Sequence, residues 1–143
     1  MDYINLRNLL AAKKWKEADE ETVRVMLKVG GREKRGWLNR ESIEKFPCQD
    51  LRTIDQLWVK YSNGRFGFSV QKHIYQSLGG TSEYDREVCQ KFGHKVGWRK
   101  NNQSVYYHNL TFSEFAVQGH LPYEVIGDGL EEVLFSRVEI CRL

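Results

Sequence analysis

Helical periodicity runs along this chain and lapses once, between Gly93 and Gly129. Within that stretch Val105, Tyr107, Leu110 and Phe112 hint at alternation, too briefly to define a strand. An aperiodic segment of more than about 30 residues in a small domain is usually either disordered or functional. Its content argues against disorder. Phe92, Trp98, Tyr106, Tyr107, Phe112, Phe115 and Tyr123, in it or at its edge, are 7 of the chain's 18 aromatic residues. Rings at that density must pack against something.

The rest reads as short helices. Leu6, Leu9 and Leu10 form an apolar face over residues 3–12. Trp15, Ala18, Thr22, Val25 or Met26, and Val29 form a second at spacings of three and four, stopped by Gly30-Gly31. Asn39 is the expected N-cap of a short turn ending at Phe46. Pro47 opens a helix bearing Leu51, Ile54, Trp58 and Tyr61, which Asn63-Gly64 closes. Ser69 is expected to cap the next, with Val70, Ile74 and Leu78 on its face and Gly79-Gly80 at its end. Ser82 with Asp85 makes a capping-box start for Tyr84, Val88 and Phe92. Asp128 with Glu131 is expected to cap a last helix carrying Leu130, Val133, Leu134, Val138 and Cys141. Some six helices and one long irregular segment predict an all-α fold.

At 143 residues the chain fits one domain, and 41% hydrophobic residues suffice for a packed core. Apolar runs stop at about four residues, far short of the roughly 18 that span a bilayer. Asp2 and Arg7 sit where a signal peptide needs its basic and apolar regions. The net charge of +3 is too mild to imply nucleic acid by itself. Three widely spaced cysteines, Cys48, Cys89 and Cys141, with no Cys-x-x-Cys, make a disulfide framework unexpected and a reducing cytoplasm the expected location.

Chemistry-bearing patterns are mostly weak. His73, His94, His108, His120 and the cysteines show no helical i, i+4 pair, so no metal site is expected. Nothing places a base near a thiol, and no nucleophile or acid–base pair argues for an enzyme. Asp19, Glu20 and Glu21 read as carboxylates at a helix start that complement its dipole. The glycines of the Gly64–Phe68 run are spaced wrongly for a dinucleotide or P-loop fingerprint.

Two loops that interleave aromatic and basic residues carry the positive signal. Arg32, Lys34, Arg35, Trp37, Leu38 and Arg40 form one; Trp98, Arg99, Lys100, Tyr106 and Tyr107 form the other. Such loops can stack single-stranded bases and neutralise phosphates. They equally suit a planar apolar ligand whose carboxylates meet cations at the rim. Ordinary surface loops with core anchors are the third reading, and the residues alone leave all three open.

Particular runs carry a resemblance. Leu9-Leu10-Ala11-Ala12, Trp15-Lys16-Glu17-Ala18-Asp19 with Thr22, Phe46-Pro47, Asp50-Leu51, Ile54-Asp55 and Leu57-Trp58 occur in order. Ser62-Asn63-Gly64-Arg65-Phe66-Gly67-Phe68-Ser69-Val70-Gln71, Val96-Gly97-Trp98-Arg99 and Gly119-His120-Leu121-Pro122 follow. Over nearly its whole length the chain resembles the Genomes Uncoupled Four domain family. The resemblance implies an all-α, cupped-hand bundle of short helices whose long finger loops form a ligand cleft. It implies non-covalent binding of a tetrapyrrole (protoporphyrin IX, Mg-protoporphyrin IX or a bilin), with no reaction of its own. It also implies a regulatory or carrier role in tetrapyrrole and chlorophyll metabolism, with the large porphyrin-binding subunit of magnesium chelatase as partner.

The fingers fall at about residues 30–46 and 97–119, the two aromatic-basic loops. The expected ligand-binding set is therefore Arg24, Trp37, Leu38, Arg40, Trp98, Arg99, Lys100, Tyr106, Leu110 and Phe112. The expected organisation is a single, monomeric tetrapyrrole-binding domain over 1–143. It lacks the additional N-terminal helical domain of chelatase-activating cyanobacterial members. Nucleic acid is not an expected partner, and peripheral membrane association stays open. Departures from the family pattern are Val117 in place of a proline, Arg24 in place of a basic residue at 23, and an acidic region from 123 to 132 in place of a basic one. A bilin sensor, or an interaction module without porphyrin binding, is the alternative.

Overall fold

A computed structural model of the chain describes residues 1–126 and 129–143. Among the described residues the helices are α1 (Ile4–Ala11), α2 (Trp15–Val29), α3 (Arg40–Glu44), α4 (Cys48–Tyr61), α5 (Phe68–Ser77), α6 (Arg86–Lys95) and α7 (Glu131–Ile140). The fold is the expected all-α type. Inside the aperiodic segment, β1 (Arg99–Lys100) and β2 (Gln103–Ser104) pair as a small antiparallel hairpin, followed by a 3-10 turn (Tyr107–Asn109). Asn101 and Asn102 turn the hairpin at φ +54° and +62°, left-handed values that asparagine tolerates well.

Helices α2 and α4 turn their apolar faces to a common core. Trp15 and Trp58 stack at 6.2 Å, and Phe66 meets both edge-on at 5.4 and 6.3 Å. Trp58 satisfies its buried indole by donating to Thr22 Oγ1 at 2.9 Å, and the Thr22 hydroxyl donates to the Ala18 carbonyl at 2.8 Å. A second ring cluster joins α5, α6 and α7 to the long loop: Tyr75, Phe92, Phe135 and Trp98 pack with centroids 5.1 to 5.9 Å apart.

Two of the most recognisable sequence runs dock on each other. Gly119 N–H donates to Arg65 O at 2.8 Å, and Gly67 N–H donates to Leu121 O at 3.0 Å. Gln71, fully buried on α5, donates from Nε2 to Gly119 O at 3.0 Å and Pro122 O at 2.8 Å. Gly67 has φ +127°, and a Cβ there would sit 2.8 Å from Val59 Cγ2, so only glycine fits. His120 is buried and bridges the loop: its Nδ1 lies 2.6 Å from Val96 O, and its Nε2 accepts from Thr111 N–H at 3.0 Å. That pairing assigns the Nδ1–H tautomer. Burial holds the ring's pKa below the usual histidine value.

Several local expectations change in the tertiary context. Gly67, not Ser69, is the N-cap of α5, because Asp55 on α4 reaches across to accept the Ser69 N–H at 2.8 Å. Asp85 alone caps α6, accepting from Val88 N–H at 3.2 Å; Tyr84 stands outside the helix and is exposed. Leu130 holds the cap position of α7, and the expected cap Asp128 lies outside the described residues. Asp19 and Glu21 are not dipole partners at a helix start: α2 begins at Trp15, and both carboxylates are buried.

The cysteine reading is corrected as well. Cys48 and Cys141, 93 residues apart, form a disulfide between the start of α4 and the end of α7, with Cα atoms 5.2 Å apart. Spacing rules find dense local frameworks, whereas this single bridge depends on two helix ends meeting in space. Cys89 is the free cysteine. No helix among the described residues is long and apolar enough to cross a membrane.

Candidate ligand groove

Helix α2 is amphipathic, yet part of its outer face is neither charged nor covered. Val23 and Leu27 are half-buried there, one turn apart. Opposite them runs the long loop, held against α2 by a buried carboxylate. Asp19 accepts from Tyr107 Oη at 2.9 Å, from Tyr123 N–H at 2.7 Å and from Glu124 N–H at 3.3 Å. Burial pushes the Asp19 carboxyl up to about 6 against these three hydrogen bonds, which act to lower it. Burial, and then the charge of Asp19, holds the Tyr107 phenol above its usual range.

Between helix and loop lies an open groove of about 490 Å³ lined by Lys16, Glu20, Val23, Arg24, Leu27, Tyr107 and Glu124. Its floor is apolar and aromatic; its rim carries two cations and two carboxylates. Arg24 already forms a two-point ion pair with Glu21, at 2.6 and 2.7 Å. Burial, and then the nearby Glu20, raises the Glu124 carboxyl above its usual value. A groove of equal volume lies under the exposed Phe115, against the turn from Tyr61 to Arg65, but most of its lining is polar.

The ten residues expected from sequence fall into three groups. Leu38, Trp98 and Leu110 are core: Leu38 packs against Gly30 at the end of α2, and Trp98 donates its indole N–H to His120 O at 2.7 Å. Phe112 is half-buried and meets Tyr107 edge-on at 5.3 Å, which braces the groove wall from behind. The others are at the surface, apart from Arg99, which is half-buried. Trp37 is 60% exposed beneath the Arg32 guanidinium at 4.9 Å, and Tyr106 is 72% exposed and stacked on His108 at 5.8 Å. Arg40 pairs with Glu132 at 3.0 Å, and Lys100 is exposed on the hairpin. Arg99 lays its stem on Gly93 and donates from Nη2 to Asn102 O at 2.8 Å, so its guanidinium closes the hairpin turn.

Of the ten, Arg24 alone lines the groove beside α2. Sequence reasoning missed Lys16, Glu20, Val23, Leu27 and Glu124 as lining residues, and named Tyr107 in the second aromatic-basic loop without placing it in the ligand-binding set. The available signal was on α2: Val23 and Leu27 are apolar residues four apart, off the face that Trp15, Ala18 and Thr22 define.

The structure therefore defines a compact helical domain in which a long aromatic loop is strapped over a half-exposed helix face. Residues 1–136 match the family described as GUN4-like, and the chain belongs to that family. A Ycf53-like protein of Synechocystis sp. is 36% identical over 125 residues, covering 85% of this chain and 51% of that relative. A chloroplastic tetrapyrrole-binding protein of Arabidopsis thaliana is 33% identical over 129 residues, covering 82% of this chain and 46% of the relative. The chain thus spans about half the length of the curated relatives it matches. The ligand-free structure of Arabidopsis thaliana GUN4 superposes with a TM-score of 0.80 at 27% identity, covering 96% of this chain and 94% of that one. GUN4 from Chlamydomonas reinhardtii gives 0.78 at 28%, covering 96% and 86%.

Proposed function

We propose that this chain is a non-catalytic tetrapyrrole-binding domain, and that its ligand lies in the groove between α2 and the long loop. The observation that carries this reading is the half-exposed Val23 and Leu27 strip facing Tyr107 across about 490 Å³. Family membership and the tetrapyrrole-binding relative support the ligand class. The ligand is protoporphyrin IX or its magnesium form, with a linear bilin as the alternative. The role is regulation or carriage within tetrapyrrole metabolism, with the large porphyrin-binding subunit of magnesium chelatase as partner. The proposed setting is a cytoplasm oxidising enough to keep the Cys48–Cys141 bond, since disulfides are rare where thiols are held reduced.

Energetics favour moderate affinity. Burying about 300–400 Å² of macrocycle is worth about 8–10 kcal/mol gross at about 25 cal/mol per Å². Association and loop ordering cost at least about 4 kcal/mol of this. Micromolar binding needs about 8 kcal/mol net, so charge-assisted contacts to the propionates must supply the difference. Lys16 and Arg24 are the cations lining the groove, with Lys100 on the hairpin as a further contact. Glu20 and Glu124 on the same rim oppose a dianionic ligand and keep the affinity moderate.

Titration with protoporphyrin, its magnesium form and a bilin tests the proposal. A shifted Soret band and quenched tryptophan fluorescence at micromolar ligand are expected. Flat titrations with all three would leave the interaction-module reading in its place.

A further inference from the structure

Helix α7 is buried over its first half, Glu131 to Phe135, and its first two residues are carboxylates: Glu131 and Glu132 are 4% and 2% exposed. Across from them, on α6, lies Cys89. The Cys89 sulfur and one carboxylate oxygen from each glutamate all lie within 4.8 Å of one another. Burying two adjacent carboxylates is costly unless positive charge or donors compensate them. At Glu132 that compensation is incomplete. Glu131 Oε2 accepts the Gly129 N–H at 3.1 Å, and Glu132 Oε1 takes one arm of Arg40 at 3.0 Å. Glu132 Oε2 is fully buried and has no hydrogen-bond partner among the described residues. Arg40 is itself 60% exposed, a solvated counter-charge for the pair.

We propose that Cys89, Glu131 and Glu132 form a divalent-cation site of the zinc type that clamps α6 to the start of α7. The donor set is one thiolate and two carboxylates, which zinc accepts together, with a fourth position left for water. A tetrahedral zinc with bonds of about 2.0–2.3 Å holds its ligands about 3.4–3.6 Å apart, so closing the site takes side-chain movements of about 1 Å. The charges then balance: three anionic ligands, a dication and Arg40 sum to zero. On binding, the Cys89 thiol proton leaves to solvent and the sulfur's lone pair goes to the metal. Without a metal the thiol holds that proton strongly, because burial and the two glutamates push it up to about 12. The tyrosine facing the cluster from α5, Tyr75, is also pushed up to about 12, by burial and then by Cys89, Glu132 and Glu131. The site lies outside the groove and is independent of the tetrapyrrole reading.

The test uses the whole chain with its disulfide intact, so that Cys89 is the single free thiol. Stoichiometric Co²⁺ should produce thiolate-to-metal charge-transfer absorption that Zn²⁺ displaces. Zn²⁺ should slow alkylation of Cys89 by about tenfold or more, and should raise the melting temperature. Cys89→Ser should abolish the cobalt band, and Glu132→Gln should weaken Zn²⁺ binding by about tenfold or more. A folded wild-type chain with no cobalt band and unchanged alkylation overturns the proposal. So does Zn²⁺ binding that Cys89→Ser leaves intact, because surface histidines would then hold the metal. If Glu132→Gln fails to fold, alkylation protection in the wild type decides the matter.

Discussion

Asp19 takes three hydrogen bonds from the long loop, yet burial still lifts it to about 6 from an ordinary value of 3.8. A carboxyl raised on folding binds its proton more tightly in the native state. Its stabilising contribution is therefore complete below about pH 3.8 and lost as pH rises through about 6. Asp19→Asn cannot titrate, so thermal melts of wild type and variant should diverge in their pH dependence. The wild type should lose on the order of 2–3 kcal/mol relative to Asp19→Asn between about pH 4 and 6, and nothing further above that. Parallel profiles would show that Asp19 keeps its ordinary pKa in the folded state. At Phe68, fully buried at the first turn of α5, the expectation is purely structural. Phe68→Ala should cost about 3–5 kcal/mol in denaturant unfolding, with tetrapyrrole affinity of the folded fraction unchanged. Normal stability with lost binding would move this run into the site.

At the scale of elements, the groove is the meeting of α2 with the long loop, and the two contribute differently. Lys16 on α2 lines the groove, and its ammonium has no hydrogen-bond or ion-pair partner among the described residues. Lys16→Ala should weaken a free-acid porphyrin by about tenfold, the worth of one charged hydrogen bond, and a propionate ester far less. Arg99 should behave otherwise. Its guanidinium is committed to Asn102 O within the hairpin, so Arg99→Ala should loosen the loop and weaken acid and ester alike. Spectroscopic titration of both ligands against both variants separates charge recognition from loop order. The helical elements were legible in sequence because spacings of three and four reflect one physical fact, a face turned to the core. The contents of residues 93–129 were not. Its described residues are held by Asp19, His120 and Gln71, single polar groups with partners 24 to 104 positions away in sequence. A buried carboxylate on α2 reads in sequence like any solvated one.

For the whole molecule, the Cys48–Cys141 bond joins residues 93 positions apart, at the start of α4 and just past the end of α7. Chain entropy alone puts such a link at about 4.6 kcal/mol, and disulfides typically deliver about 2–4 kcal/mol. Reduction should lower the denaturation midpoint accordingly while the helical circular dichroism is retained, since α7 is also fixed by Val133, Leu134, Phe135 and Val138 in the core. An unchanged midpoint would mean that those contacts alone hold the helix. Sequence by itself determined the helical class, which depends on the order of apolar faces, caps and glycine turns along the chain, and the family, whose resemblance lies in contiguous residue runs. Tertiary structure alone decided which carboxylates are buried, which cysteines meet and which aromatic residues stay at the surface. Those outcomes depend on distances between elements, and Trp98 and Tyr106 show it: two rings in the same aromatic-basic loop, one 2% and the other 72% exposed.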